Sequence, residues 1–223
     1  MIQMVWSQEI ASKAYVDTVK ALCPKSFKEP GVSEFLSAMA AGWNSKLIVD
    51  SWSYGGPIAT SVGLAVAALH TCGRHVCVVP DERSRLGYVE AMKEAWTMSS
   101  STAVIVGEAK GVMEGLHGVD FLVVDLNRKD FGRVLRYAKL SHKGAVLACR
   151  SRSARHGGIS GFRWHGLLEK GTRIVRSVFL PVGQGLHIAH VGASSGAVGS
   201  KKSPSRWIEL IDQQSGEKHV FRG

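Results

Sequence analysis

The sequence lacks an apolar run long enough to cross a membrane. Its longest such run, from Ile58 to Leu69, has about 12 residues, whereas a spanning helix needs about 20. The opening residues MIQMVWSQE also lack the basic and then apolar pattern of a secretory signal. We therefore expect an intracellular protein without a membrane partner, located in the cytoplasm, with the nucleus open as a second location.

The sequence also lacks the usual metal-binding and disulfide patterns. None of its four cysteines forms a CxxC pair, and its nine histidines show no HExxH spacing. The cysteines are scattered through apolar segments, so we expect buried free thiols rather than disulfides or zinc ligands. They are Cys23, Cys72, Cys77 and Cys149.

Acidic residues are scarce in one part of the chain. Residues 128–176 contain 13 lysines and arginines but only two acids, Asp130 and Glu169, which gives this segment a formal charge of +11. The whole chain carries +10, so its remainder is close to neutral. A basic block suggests an anionic partner such as a nucleic acid, a phosphate, a coenzyme A ester or a carboxylate. The alternative is a solvated surface with no bound partner.

The sequence does contain short apolar runs that alternate with amphipathic segments. The runs predict strands over 46–50, 75–79, 102–106, 120–125 and 144–149. The amphipathic segments predict helices over 7–22, 32–41, 58–70 and 83–96, and a further helix from Phe131 to Ala138. This alternation is typical of a parallel sheet with right-handed crossovers, in which ligands bind at the carboxyl ends of the strands.

The end of the chain follows other patterns. Residues 172–182 and 185–191 predict two strands joined by a tight turn. Residues 192–205 have the low complexity of a flexible linker, and 206–223 predict a hairpin that packs on the domain. We therefore divide the chain into an α/β domain over 1–191, which includes the N-terminal helices, followed by the linker and the hairpin.

Three stretches resemble one protein family. They are Asp50 to Gly56, an acid-ended strand with a glycine turn, then 119–131, which contains an aspartate-ended strand, and 179–188, a closing hairpin. Over about 32–191 the sequence is similar to the small plant-type O-methyltransferases that act on catechol-like and caffeoyl-CoA substrates. The whole chain resembles a plant family of methyltransferase-like proteins whose function is unassigned. The resemblance implies a three-layer, Rossmann-like class I methyltransferase fold, with a mostly parallel seven-stranded sheet, an antiparallel closing hairpin and S-adenosylmethionine (AdoMet) as cofactor.

The resemblance also implies cofactor contacts. An acid ending the first strand holds the amino group of AdoMet, a glycine turn admits its methionine part, and an acid ending the second strand binds the ribose. Pro80 replaces that second acid, with Asp81 and Glu82 directly after it. Trp52 stands where the family has a glycine, so its indole would either fill the pocket or lie against the sulfonium. The predicted cofactor residues are Asp50, Trp52, Gly55, Gly56, Asp81, Glu82, Glu108, Ala109 and Asp125, with Glu108 and Ala109 beside the adenine.

These cofactor residues also have a purely structural interpretation. Asp50 would then cap a turn, Asp81 would cap the following helix, and Trp52 would belong to the core.

The catalytic metal of the similar enzymes is not expected here. In that family the metal is held by the aspartate that ends the fourth strand and by an Asp-Asn pair after the fifth. Asp125 corresponds to the first ligand, but residues 147–152 read LACRSR, and arginine cannot bind a hard cation such as Mg²⁺. Asp125 remains a candidate catalytic residue, as a general base or as a group that orients the substrate. The alternative is a strand-end residue bonded to nearby backbone.

Arginines after the fifth strand are the predicted substrate contacts. Arg150, Arg152 and Arg155 follow that strand, and Arg163 lies a short loop away. The planar guanidinium suits carboxylates and phosphates. The cations of the preceding segment are instead assigned to the solvated face of a helix, and they are Lys129, Arg133, Arg136 and Lys139.

Three functions remain open from the sequence. The first is a metal-independent, AdoMet-dependent methyltransferase for a small or anionic acceptor. The second is a catalytically inactive protein of the same fold that binds AdoMet, a nucleotide or a protein partner. The third is an RNA-binding protein or RNA methyltransferase, which rests on the basic block alone. A homodimer is compatible with each of them.

Overall fold

The computed structural model describes residues 6–23, 31–95, 102–126, 128–150, 163–193, 207–211 and 218–222, the last two ranges by their backbone only. Arg152 and Arg155 lie outside these residues, as does most of the predicted linker. Among the described residues, no helix is both long and apolar enough to span a membrane.

Strands and helices alternate along the chain much as predicted. The strands are β1 (Leu47–Ser51), β2 (Arg74–Val79), β3 (Ala103–Val106), β4 (His117–Val119), β5 (Phe121–Asp125), β6 (Lys139–Leu140), β7 (Ala145–Arg150), β8 (Ile174–Leu180), β9 (Leu186–Val191), β10 (Trp207–Ile211) and β11 (Lys218–Arg222). The helices are α1 (Gln8–Leu22), α2 (Val32–Gly42), α3 (Ala59–Thr71), α4 (Glu82–Ala95), α5 (Ala109–Gly115) and α6 (Phe131–Tyr137). A short 3-10 turn, Trp164–Gly166, follows β7.

Seven of these strands form one sheet in the order β3-β2-β1-β5-β7-β9-β8. The pairs from β3 to β7 are parallel, and β9 pairs antiparallel with both β7 and β8. Strands β1 and β7 are buried along their whole length, which is why they read as continuous apolar runs. The predicted architecture, a mostly parallel seven-stranded sheet with an antiparallel closing hairpin, is confirmed.

Helices cover both faces of the sheet. Ile48 points to the face covered by α1, α2 and α3, where it packs with Leu36 and Leu64. Its neighbour Val49 points to the other face, where Met113 of α5 and Leu135 of α6 close the core. This alternation along one strand produces the three layers, because successive side chains of a strand point to opposite faces.

Several elements differ from the predictions. The short helix α5 and the small parallel pair of β4 with β6 were not predicted. The predicted placement of Lys129 and Lys139 on a helix is wrong, since α6 runs from Phe131 to Tyr137, Lys129 precedes it and Lys139 lies in β6. The prediction of four buried thiols is half wrong, since Cys77 and Cys149 are buried but Cys23 and Cys72 are exposed.

The terminal hairpin is present as a backbone pairing of β10 with β11. Its packing on the domain stays a prediction.

Candidate functional site

The order of the strands reverses between β1 and β5. The carboxyl ends of β1, β2, β5 and β7 lie there side by side, and we call this side of the sheet, where the parallel strands end, the carboxyl edge. Ligands of open α/β sheets bind at such an edge. Asp50 and Trp52 reach this edge at the end of β1, Asp125 ends β5, and Arg150 ends β7. The predicted site residues on the strands are therefore brought to the same edge, while their side chains take different directions.

The carboxylate of Asp50 is turned into the interior. Only 3% of the residue is exposed, and the carboxylate accepts hydrogen bonds from the Ser61 hydroxyl of α3 and from Nε2 of His75, the latter at 3.2 Å. Burial acts to raise the pKa of Asp50, but the attraction of His75 and the hydrogen bonds outweigh it and hold this pKa below its ordinary value. Asp50 is therefore an ionised group with partners inside the fold.

The surroundings of Asp50 contain two further titratable groups, Cys77 and Tyr88. Burial and the nearby carboxylate raise the pKa of both the Cys77 thiol and the Tyr88 phenol well above their ordinary values. Both groups are therefore neutral at physiological pH. Neither of them supplies an anionic nucleophile.

Trp52 fills the space between the glycine turn and α4. It is 5% exposed, and its ring meets that of Tyr88 edge to face with 5.5 Å between the ring centroids. A Cβ atom added to Gly56 would lie 3.0 Å from the indole Nε1, so the turn closes directly on this ring. Gly56 is thus needed for the close approach of the turn to Trp52.

Arg128 is a site residue that the sequence interpretation missed. Its side chain is 2% exposed, although it follows β5 in the basic segment. The guanidinium donates from Nη1 to the carbonyl oxygens of Trp52 at 3.1 Å and Val78 at 2.9 Å, and it forms a two-pronged pair with Asp130 at 2.6 and 2.7 Å. Arg128 therefore lies across the ends of β1 and β2.

Asp125 has a cationic neighbour, Arg150. The two residues are partners in the register of β5 with β7, and Nη2 of Arg150 donates to Oδ2 of Asp125 at 3.3 Å. Nη1 of the same guanidinium donates to the hydroxyl of Thr60, at the start of α3, at 2.9 Å. The side chains of Asp125 and Arg150 are 12% and 7% exposed. Arg150 therefore ties β7 to β5 and to α3 at the edge of the sheet.

The position of Arg150 bears on metal binding. The guanidinium of Arg150 presents positive charge to the Asp125 carboxylate. Among the residues that the structure describes, no three metal-binding side chains form a cluster. Cys149 is no alternative ligand or nucleophile, because burial and the Asp125 carboxylate raise the pKa of its thiol.

The remaining predicted cofactor residues lie at the rim of this edge. The Asp81 carboxylate accepts a hydrogen bond from the Ser84 backbone N–H at 2.7 Å, and this bond lowers the pKa of Asp81. Glu82 is exposed and pairs with Arg85. Glu108 pairs with Arg133 at 2.7 Å, and Ala109 is buried as the first residue of α5. Gly55 is exposed, with a φ of +76° that favours glycine and open space where a Cβ would stand.

The cations of the basic segment are distributed among several environments. Arg150 is buried at the edge and Arg163 is exposed before the 3-10 turn. Arg136, on α6, donates to the Gly166 carbonyl oxygen at 3.3 Å. The segment is therefore not one uniform surface patch.

Comparisons with known proteins agree with this topology. The model of the family described as "Protein of unknown function (DUF1442)" matches residues 2–223. A search of curated proteins found no significant match.

Solved structures share the fold. The O-methyltransferase TomG of Streptomyces achromogenes, crystallised with AdoMet, has a TM-score of 0.57 and 21% identity, over 85% of this chain and 92% of its own. An O-methyltransferase from Bacillus cereus bound to S-adenosylhomocysteine has a TM-score of 0.57 and 17% identity, over 83% and 91%. The methyltransferase PaMTH1 of Podospora anserina, also bound to S-adenosylhomocysteine, has a TM-score of 0.54 and 14% identity, over 85% and 89%. At these identities the likeness shows the class I methyltransferase fold.

Proposed function

The chain belongs to the DUF1442 family and has the class I methyltransferase fold, and from this premise we propose that it is an AdoMet-dependent methyltransferase. It works without a metal ion and takes a small or anionic acceptor. The observation that carries the transfer reaction is the sheet of the class I methyltransferase fold, and the contact of Arg150 with Asp125 at the ligand-binding edge supports the metal-free part.

The Asp125–Arg150 pair supports a reaction without a metal. A divalent ion beside Asp125 would need further oxygen ligands, whereas β7 offers a guanidinium at the paired position. Asp125 keeps its place at the strand end and is partly reachable from solvent. Its carboxylate can accept a hydrogen bond from the hydroxyl group of a methyl acceptor. The guanidinium of Arg150, directly beside it, is the kind of group that binds an anionic acceptor.

The residues of the edge fit AdoMet in part. The rim acids Asp81 and Glu82 would hold the ribose, and Glu108 with Ala109 would flank the adenine. The part of the edge beside the glycine turn does not fit AdoMet in this conformation. Trp52 fills the space against Gly56, and Arg128 lies across the ends of β1 and β2. AdoMet would supply an electrophilic methyl group, and its entry requires the side chain of Trp52 to move.

The same closure favours a second candidate function. A descendant of the fold that has lost AdoMet binding would keep the sheet and fill the vacated groove with its own side chains. Trp52 and Arg128 occupy the groove in this manner, and the Asp50 carboxylate is turned inward. In that case the edge is a structural core, and the protein acts through another surface.

A transfer assay tests the proposal. The protein is incubated with AdoMet labelled in its methyl group and with a panel of hydroxy acids, phosphate esters and coenzyme A esters, with EDTA or with Mg²⁺. We expect transfer that EDTA does not reduce and that Asp125→Asn lowers about 100-fold. Asp17→Asn, a matched change at a partly exposed carboxylate of α1, should have no effect.

Two results would contradict the proposal. Transfer that requires Mg²⁺ would show that the metal site survives. Absence of transfer together with absence of AdoMet binding would favour the inactive descendant.

A further inference from the structure

A cavity of about 310 Å³ lies on the side of the sheet opposite the carboxyl edge, where the parallel strand β7 begins. Its walls come from β6, the turn that leads into β8, and the end of β9. The end of β9 pairs with the start of β7, whereas Arg150 stands at the other end of β7. Strand β7 has six residues, so this cavity is roughly 17 Å from the Asp125–Arg150 pair.

The charged groups of this cavity are mostly cations. Lys139, Lys170 and Arg173 line it, together with a single acid, Glu169. Glu169 is paired with Lys139 at 3.3 Å. Within the described part of the chain, Lys170 and Arg173 have no acidic partner, so two positive charges remain uncompensated at the cavity.

The rest of the lining adds hydroxyl and apolar groups to the cations. The hydroxyl residues Ser141 and Thr172 stand beside the cations, and Leu140 and Val191 provide apolar wall. Gly171, with a φ of +92°, forms the turn that brings Lys170 and Thr172 to the same cavity. The volume is at the lower end of the range of small-molecule sites, which is about 300–1,000 Å³.

We propose that this cavity is a binding site for a small organic phosphate, separate from the candidate site at the carboxyl edge of the sheet. Ammonium and guanidinium groups with neighbouring hydroxyls bind the oxygens of a phosphate, and the apolar wall receives the organic part. A nucleic acid fits the cavity less well. Its lining contains no aromatic side chain on which a base could stack.

Calorimetric titration with phenyl phosphate tests this site, with inorganic phosphate and a short single-stranded RNA as comparison probes. We expect phenyl phosphate to bind more tightly than inorganic phosphate, because only the former uses the apolar wall. The double variant Lys170→Gln, Arg173→Gln should weaken phenyl phosphate binding about tenfold or more. Lys93→Gln with Lys110→Gln, an equal change in charge on the exposed surfaces of α4 and α5, should leave it unchanged.

Glu169→Gln provides a test of opposite sign. It removes the one acid of the lining and releases Lys139, so it should tighten phenyl phosphate binding. Three results would overturn the site. They are no binding of phenyl phosphate by the wild type, equal losses of phenyl phosphate affinity in the two double variants, and RNA that binds more tightly than phenyl phosphate and loses equal affinity in the two double variants. None of these results bears on AdoMet binding, which is measured separately.

Discussion

Ionised side chains have different surroundings in the two halves of the carboxyl edge of the sheet. In the half formed by β1 and β2, the Asp50 carboxylate is turned inward to Ser61 and His75, and Arg128 covers the strand ends. In the half formed by β5 and β7, Asp125 and Arg150 face each other, and Asp125 keeps some exposure. The first half holds the Asp50 carboxylate inside the fold, at 3% exposure of the residue, whereas the Asp125 side chain of the second half keeps 12% exposure.

This difference separates the cofactor question from the acceptor question. Removing a buried charge from its partner is costly, so the polar groups around Asp50 stabilise the β1 and β2 half as it stands. Under the proposed function, AdoMet competes with Trp52 for its place, whereas the acceptor binds beside the Asp125–Arg150 pair. Changes to the two halves should accordingly have distinct effects.

Opening the first half should have the largest effect on stability. Trp52→Gly removes a buried indole beside Gly56 and Tyr88, and it should lower the free energy of unfolding by about 4 kcal/mol, as for other large-to-small substitutions in a core. The same change should tighten AdoMet binding about tenfold by clearing the turn. Urea denaturation and calorimetric titration measure the two effects. Trp6→Gly, at an exposed indole, serves as the control, and equal AdoMet affinity in both variants would contradict the role of Trp52.

Reversing the charge of the second half should convert it into a metal site. Arg150→Asp places a carboxylate at the position that pairs with Asp125, so the folded protein should lose about 3 kcal/mol of stability without metal and regain much of it in millimolar Ca²⁺ or Mn²⁺. Thermal unfolding with and without the ion measures this effect.

Arg150→Met is the matched control, since it removes the guanidinium without adding an oxygen ligand. Tight binding of a divalent ion by the wild type beside Asp125 would contradict the metal-free interpretation.

The pH dependence of stability should report on the Asp50 carboxylate. In the wild type the pKa of Asp50 is lowered, so its contribution to stability is present above the unfolded value of about 3.9 and is lost as the pH falls further. In His75→Asn, the attraction that offsets the burial of Asp50 is lost. The ionised carboxylate then destabilises the fold at neutral pH, and protonation at lower pH removes this cost. The stability difference between wild type and His75→Asn should therefore be largest near pH 7 and shrink on acidification.

Urea denaturation at several pH values measures this trend. His117→Asn, at an exposed histidine, is the control. A stability difference that does not change with pH would mean that His75 acts through packing alone.

The smallest expected effect concerns the rim. Asp81→Ala removes the side-chain hydrogen bond to the Ser84 N–H at the start of α4, which should lower stability by about 1 kcal/mol. Asp81→Ser keeps a capping oxygen and removes the charge, so it should retain the stability and weaken AdoMet binding if Asp81 holds the ribose. Equal AdoMet affinity in wild type and Asp81→Ser would leave Asp81 with the capping role only.

The fold could be predicted from the sequence because its central strands are buried on both faces. Such strands read as apolar runs, as in β1 and β7, and their alternation with helices sets the parallel order. Short elements give a weaker signal. Helix α5 has seven residues and β6 has two, and the pairing of β6 with β4 joins segments about 20 residues apart in the chain.

The site was less predictable because its partners are distant in sequence. The position of Asp50 at the end of a strand could be predicted, but its contact with His75 depends on how β1 pairs with β2. Arg128 was counted with the surface charge of the basic segment. Its acceptors, the carbonyl oxygens of Trp52 and Val78, are 76 and 50 residues away and have no sequence signal, because every residue carries a carbonyl group.

Calorimetric titration of the wild type with AdoMet and with S-adenosylhomocysteine, in EDTA, tests the central claim most directly. The proposed function predicts one site per chain for both compounds, with dissociation constants between about 0.1 and 1 mM because Trp52 must be displaced. Absence of binding by the wild type and by Trp52→Gly, at concentrations of several millimolar and with both proteins folded, would contradict it.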